Sequence, residues 1–177
     1  AKSSWDNLNL TDHDRPLSRR GREDAKLIAK YLATYEYTYK TILCSTSKRT
    51  SETLEIFLNY IHKVDQINYV SNLYHASAET IRKEIMTLDT GGTYMLLGHN
   101  PGIEDFLRNL NKDSSLRAPT SSIDVLSTVK NSLRLNKLIT PCSAGPSTAP
   151  HPSPRELGER ARVCETALFA SGGARPG

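Results

Sequence analysis

Tyr94-Met95-Leu96-Leu97-Gly98-His99-Asn100-Pro101-Gly102 decides the fold. A short apolar run predicts a buried strand, and it breaks at Gly98 into a turn that opens a helix. Gly98 carries no Cβ, which lets a ligand come close to the backbone there. Pro101 suits the first helical position, where a missing N–H costs nothing. Ile103, Phe106, Leu107 and Leu110 then recur at helical spacing. His99 is thereby expected at the carboxyl end of a strand, beside the free amides of a helix N-terminus, a ready place for an anion. The plainer reading of a single such histidine is a hydrogen-bonded turn residue.

A second strand–turn–helix of the same kind favours the anion. Thr41-Ile42-Leu43-Cys44 predicts a strand, Ser45-Thr46-Ser47-Lys48-Arg49-Thr50 a basic, hydroxyl-rich turn, and Leu54, Phe57, Leu58 and Ile61 a helical stripe. Two such units in one sheet bring His99, Arg49 and several hydroxyls to one edge. Arg49 falls in the first turn of its helix, where a cation is unfavourable unless an anion is near. Its planar guanidinium can hold two phosphate oxygens at once. Cys44 followed by Arg49 invites comparison with a cysteine phosphatase loop. That loop needs five residues between cysteine and arginine and a glycine to fold round the anion. Here there are four and no glycine, so Cys44 is read as a small buried strand-end residue.

Three stretches carry a family resemblance: Leu97-Gly98-His99-Asn100-Pro101-Gly102, Ser45 to Thr53, and Asp12-His13-Asp14-Arg15-Pro16-Leu17-Ser18-Arg19-Arg20-Gly21. Together they resemble the histidine phosphatase superfamily, in its SixA-type phosphohistidine phosphatase branch. The resemblance implies a phosphoglycerate mutase-like α/β fold, three layers (α/β/α) around a mostly parallel sheet. It implies catalytic roles for His99 and Arg49 and phosphate contacts from Arg15, Ser45 and Asn100. His75, near the family's substrate mouth, becomes a candidate proton donor or substrate contact. The plainer reading of Arg15 is a turn stitched by Asp–Arg pairs. Members of the family begin with a central strand ending in Arg-His, whose histidine is the nucleophile. This chain starts Ala1-Lys2-Ser3-Ser4-Trp5, like the residues that follow that pair, so the first central strand and the nucleophile are expected to be missing. None of His13, His62, His75, His99 and His151 stands in a matching context.

The rest of the chain sets bounds. At 177 residues it predicts one domain with a tail. A net charge of +4 suits a phosphate pocket as well as nucleic acid, and aromatic and basic residues are not interleaved as a stacking platform needs. Nucleic acid is therefore not an expected partner. Mean hydropathy is −0.48 and no apolar run reaches membrane-spanning length, so no membrane partner is expected either. Three separated cysteines, Cys44, Cys142 and Cys164, argue against a disulfide framework. No metal site or cofactor is predicted. A cytoplasmic location is expected, with an organellar transit peptide left open.

Ser18 and Ser77 are expected N-caps. Ala25, Ile28, Ala29 and Leu32 form one buried helical stripe and Ile81, Ile85 and Leu88 another, while Thr120 to Leu126 alternates like a half-buried strand. The phosphatase-like domain is taken as 1–131. Pro141, Pro146, Pro150, Pro152 and Pro154 then punctuate a Ser/Ala/Gly-rich tail, 132–177, expected to be disordered apart from a short helix over Arg155 to Ala170. The expected chemistry is hydrolysis of phosphomonoesters or phosphoramidates through a phosphohistidine, on a phosphorylated protein or small molecule. Without its nucleophile the chain itself is expected to be inactive. The alternatives are a non-catalytic phosphate-binding relative and an interaction module.

Overall fold

A computed structural model describes residues 2–4, 9–35, 37–89, 92–129, 132–139 and 164–171. Helix α1 (Arg19–Ala33) begins at Ser18, whose hydroxyl accepts from the Gly21 N–H and so satisfies one of the helix's free donors. Strand β1 (Tyr39–Ser45) and helix α2 (Lys48–Leu58) follow. Strand β2 (Ile67–Val70), a 3-10 turn (Ser71–Leu73) and helix α3 (Ala78–Met86), capped by Ser77, lead to β3 (Thr93–His99). Helix α4 (Gly102–Asn111) and strands β4 (Ile123–Val129), β5 (Ser132–Ile139) and β6 (Cys164–Ser171) complete the order.

Alternation along the strands divides the core into two faces. On one side Ile42, Met95 and Ile123 pack with Ala25, Ile28 and Leu32 of α1 and Leu54 and Phe57 of α2. On the other, Leu43, Leu96 and Leu126 pack with Ile81 and Ile85 of α3 and Ile103, Phe106 and Leu107 of α4. These are the three layers expected. The strands run in the order β2-β1-β3-β6-β4-β5. β2, β1, β3 and β6 are parallel, while β4 runs antiparallel to both β6 and β5.

The far end of the chain departs from expectation. Two segments beyond residue 131 belong to the sheet, so the tail is not structureless throughout. β5 pairs with β4 from Ile123↔Ile139 to Val129↔Ser132, and its sequence, Ser132-Leu133-Arg134-Leu135, alternates as a strand should. Cys164–Ser171 is a strand and not the end of a helix. It lies between β3 and β4, the middle of the sheet, in register from Thr93↔Glu165 to His99↔Ser171. The middle of the sheet is thus taken by a segment from the far end of the sequence. The reason is tertiary: β3 and β4 each present an unpaired edge, and a short apolar run, Ala167-Leu168-Phe169-Ala170, satisfies both. Residues 140–163 and 172–177 lie outside the described residues, and with them most of the expected helix.

The deciding stretch folds as predicted, with two changes of detail. Pro101 is the N-cap, after a cis Asn100–Pro101 bond, and α4 starts at Gly102. A Cβ on Gly98 would lie 3.2 Å from Ile103 Cδ1, a tight contact with the first turn of α4. One on Gly102 would lie 1.9 Å from the Ala76 carbonyl oxygen, which makes glycine obligatory where α4 meets the loop before α3.

Asp124, in β4, is buried with no hydrogen-bond partner for either carboxylate oxygen among the described residues. Burial pushes its pKa up to about 7. The folded state therefore keeps a proton that the unfolded chain releases near 3.8. The stabilisation this gives is complete below that value and is lost as pH rises toward 7. Asp124→Asn is expected to gain on the wild type by roughly 4 kcal/mol between pH 4 and pH 7. Urea unfolding of both proteins at several pH values measures the difference, and a difference constant with pH contradicts it.

Candidate functional site

The parallel strands all end at one edge of the sheet, and β1 and β3 are neighbours there, with Cys44 opposite Leu97. Their final residues, Ser45 and His99, are therefore side by side, and Ser45 Oγ lies 2.8 Å from His99 Nε2. Helix α2 starts three residues after Ser45 and brings Arg49 to the same point. Arg49 is 0% exposed, and its Nη2 is 3.2 Å from His99 Nδ1. A guanidinium can only donate, so Nδ1 must be the accepting nitrogen and the imidazole is neutral, with its proton on Nε2 facing Ser45. Burial, then the charges of Arg49 and His75, bring the His99 pKa down to about 3, consistent with that form.

Arg49 uses its two edges differently. One grips Asp12: Nη1 donates to the backbone carbonyl at 2.6 Å and Nη2 to Oδ2 at 3.1 Å. On the other edge Nη2 faces His99, and Nε, fully buried, has no partner among the described residues. An uncompensated N–H of a buried guanidinium, beside a neutral imidazole, suits an oxyanion.

Asp12 is the hub that sequence reasoning missed. Its Oδ1 accepts from Arg15 Nη1 at 2.9 Å. Its Oδ2 also accepts from Tyr74 at 2.8 Å and lies 3.1 Å from His75 Nε2. Partial burial works to raise its pKa, but hydrogen bonds from Tyr74 and His75 and the Arg49 guanidinium hold it well below the usual carboxylate range. The only signal in the sequence was the spacing of three from Asp12 to Arg15, which fits a turn-stitching pair equally well.

The other expected residues divide. His75 is at the rim, with its ring 5.9 Å from His99 and nearly parallel, and its backbone in the left-handed region at φ 50°. Tyr74 fills the corner between His99, at 5.5 Å, and His13, at 4.9 Å. Arg15 is 4% exposed, its three nitrogens donate to Ser3, Ser4 and Asp12, and the last of these contacts ties it to the site. Asn100 donates to the Ala118 carbonyl and ties the turn to the approach of β4. Cys44 is buried and its thiol is pushed up to about 12 by burial, which leaves it inert as a nucleophile. Among the described residues no cluster of His, Cys, Asp and Glu could hold a metal ion.

Residues 2–74 match the model of the histidine phosphatase superfamily, branch 1. An uncharacterized chloroplastic protein of Arabidopsis thaliana is 32% identical over 142 residues, 75% of this chain and 65% of that one. A candidate phosphohistidine phosphatase SixA from Agrobacterium tumefaciens superposes with a TM-score of 0.67 at 28% identity, covering 79% of this chain and 93% of that one. The chain belongs to the histidine phosphatase superfamily. The fold is also that of a SixA protein histidine phosphatase solved with tungstate, with a TM-score of 0.69 at 18% identity over 80% of this chain and 94% of that one. Within this histidine phosphatase chain the family match spans Asp12, Arg15 and Arg49, while His99 lies beyond it and is placed by the fold. The chain spans about two-thirds of the Arabidopsis protein's length. Among the described residues no helix is long and apolar enough to cross a membrane.

Proposed function

We propose that this chain binds a phosphoryl group between Arg49 and His99, as the phosphate-holding part of a phosphohistidine phosphatase. The observation that carries the reading is the buried Nε of Arg49, which has no partner among the described residues, beside a neutral His99. Phosphoryl transfer asks little of a protein beyond positioning and neutralising charge on the equatorial oxygens. Arg49 supplies two parallel donors for those oxygens. His99 Nε2–H, now facing Ser45, is a third. An arriving dianion also favours the imidazolium and so opposes the burial that keeps His99 neutral. The tungstate complex of the SixA relative supports the choice of a tetrahedral oxyanion. A phosphoramidate leaving group needs less acid help than an alkoxide, and Asp12, held ionised, offers no proton to one. Both points favour phosphohistidine over phosphoserine as substrate.

In the same reading the chain binds but does not turn over. The resemblance implies a nucleophilic histidine at the end of a central strand. Here the middle strand is β6, and Ser171 is the residue in register with His99. Calorimetry with inorganic phosphate is expected to show one site, while hydrolysis of phosphohistidine stays at the uncatalysed rate. A preceding strand ending in Arg-His, joined to Ala1, is expected to restore labelling on histidine. Turnover by this chain alone, or labelling on Cys44, contradicts the reading.

A further inference from the structure

Asp12 is 28% exposed at its side chain, yet five hydrogen-bond contacts converge on this one residue. Three come from two guanidiniums that are almost wholly buried, those of Arg15 and Arg49, the same two arginines that the family resemblance places at the site. Each nitrogen of Arg15 already donates to Ser3, Ser4 or Asp12, and Arg49 spends its outer edge on Asp12. The carboxylate thus neutralises the same guanidiniums whose charge an oxyanion on the inner edge of Arg49 would meet, and it carries the same sign of charge. We infer that Asp12 is a built-in substitute for the phosphoryl group, which holds the empty site together and sets its affinity by competing for Arg15 and Arg49. The inference rests on the phosphate reading of the site.

The physical basis is a difference in charge and in freedom to move. Two buried guanidiniums without an anion are costly, so a resting site needs a counter-charge. One carboxylate on a turn provides it and can swing into water when displaced. A dianionic phosphoryl group interacts more strongly with the two cations than a monoanion does, so it can take them over. A carboxylate ligand, with no more charge than Asp12, gains nothing by the exchange. Asp12 therefore selects for doubly charged ligands while lowering the affinity for all of them.

Asp12→Asn keeps the shape and removes the charge. It is expected to bind inorganic phosphate about tenfold more tightly than the wild type, while its thermal midpoint without phosphate falls. Opposite movement of the two readouts is the signature, because a merely structural aspartate would lower both. Asp12→Ala is expected to show the same opposite movement, tighter phosphate binding with a lower thermal midpoint, which covers the case of an asparagine that fails to fold. Equal or weaker phosphate binding by the folded variants overturns the inference. The gain is also expected to vanish in Asp12→Asn combined with Arg49→Met, and a gain that persists there overturns it too. Arg49→Met alone separates the two claims. If it leaves wild-type phosphate binding intact, the phosphate reading itself fails. If it abolishes binding while Asp12→Asn brings no gain, only the role of Asp12 falls.

Discussion

A chain ending at Val163 is expected to lose its cooperative thermal transition altogether. Strand β6 is paired along most of its length on both sides, from Thr93↔Glu165 to His99↔Ser171 on β3 and from Ile123↔Phe169 to Thr128↔Cys164 on β4. Removing it exposes two rows of backbone donors and acceptors in the centre of the sheet. The β4–β5 hairpin is then joined to the remaining three strands by no ladder at all. Isolated two-stranded hairpins are marginal in water, and the cluster that includes Leu96, Leu126 and Phe106 loses its continuous floor. Calorimetry on the two chains measures the effect, with dye binding to exposed apolar surface as a second readout. Ala167→Pro tests the same point without truncation, since proline removes a ladder donor from a central strand. A sharp transition for the shortened chain, at the temperature of the full one, excludes a structural role for β6.

Replacing Arg49 is expected to have the largest effect on ligand binding. Arg49→Met removes both donors of the inner edge and the charge behind them. A charge-assisted bidentate contact of this kind contributes about 3 kcal/mol, so phosphate affinity should fall on the order of 100-fold. Arg49→Lys keeps the charge but not the fork. One ammonium cannot reach Asp12 and still offer two parallel donors to a ligand, so it should recover only a small part of the loss. The same substitution has a spectroscopic consequence. The guanidinium is, after burial, the main cause that lowers the His99 pKa, so Arg49→Met should raise it from about 3. Because that pKa is depressed in the fold, His99 stabilises the protein above the unfolded value of 6.5 and stops doing so as pH falls toward 3. Arg49→Met should narrow that window from the acid side. NMR titration of the His99 ring follows both, and an unchanged ring titration would show that Arg49 and His99 are not coupled.

The local sequence determined much of this protein. The periodicity of Leu96-Leu97-Gly98-His99 and of Ile103, Phe106 and Leu107 located a strand, a turn and a helix, because side-chain period follows directly from backbone geometry. Ser18 and Ser77 announced their helices, because an N-cap is a contact within four residues. Arg49 and His99 could be paired in advance because His99 closes one strand, and Arg49 opens the helix after another, in two units of the same kind in a parallel sheet. Other features depended on partners distant in the chain. Asp12 gathers donors from Arg15, Arg49, Tyr74 and His75, and no pattern of spacing announces a carboxylate that meets residues up to 63 positions away. The strand at Cys164–Ser171 has weak preferences of its own. It became central because two ladder edges were open beside it, and hydrogen-bond demand at distant edges is a property of the assembled sheet alone.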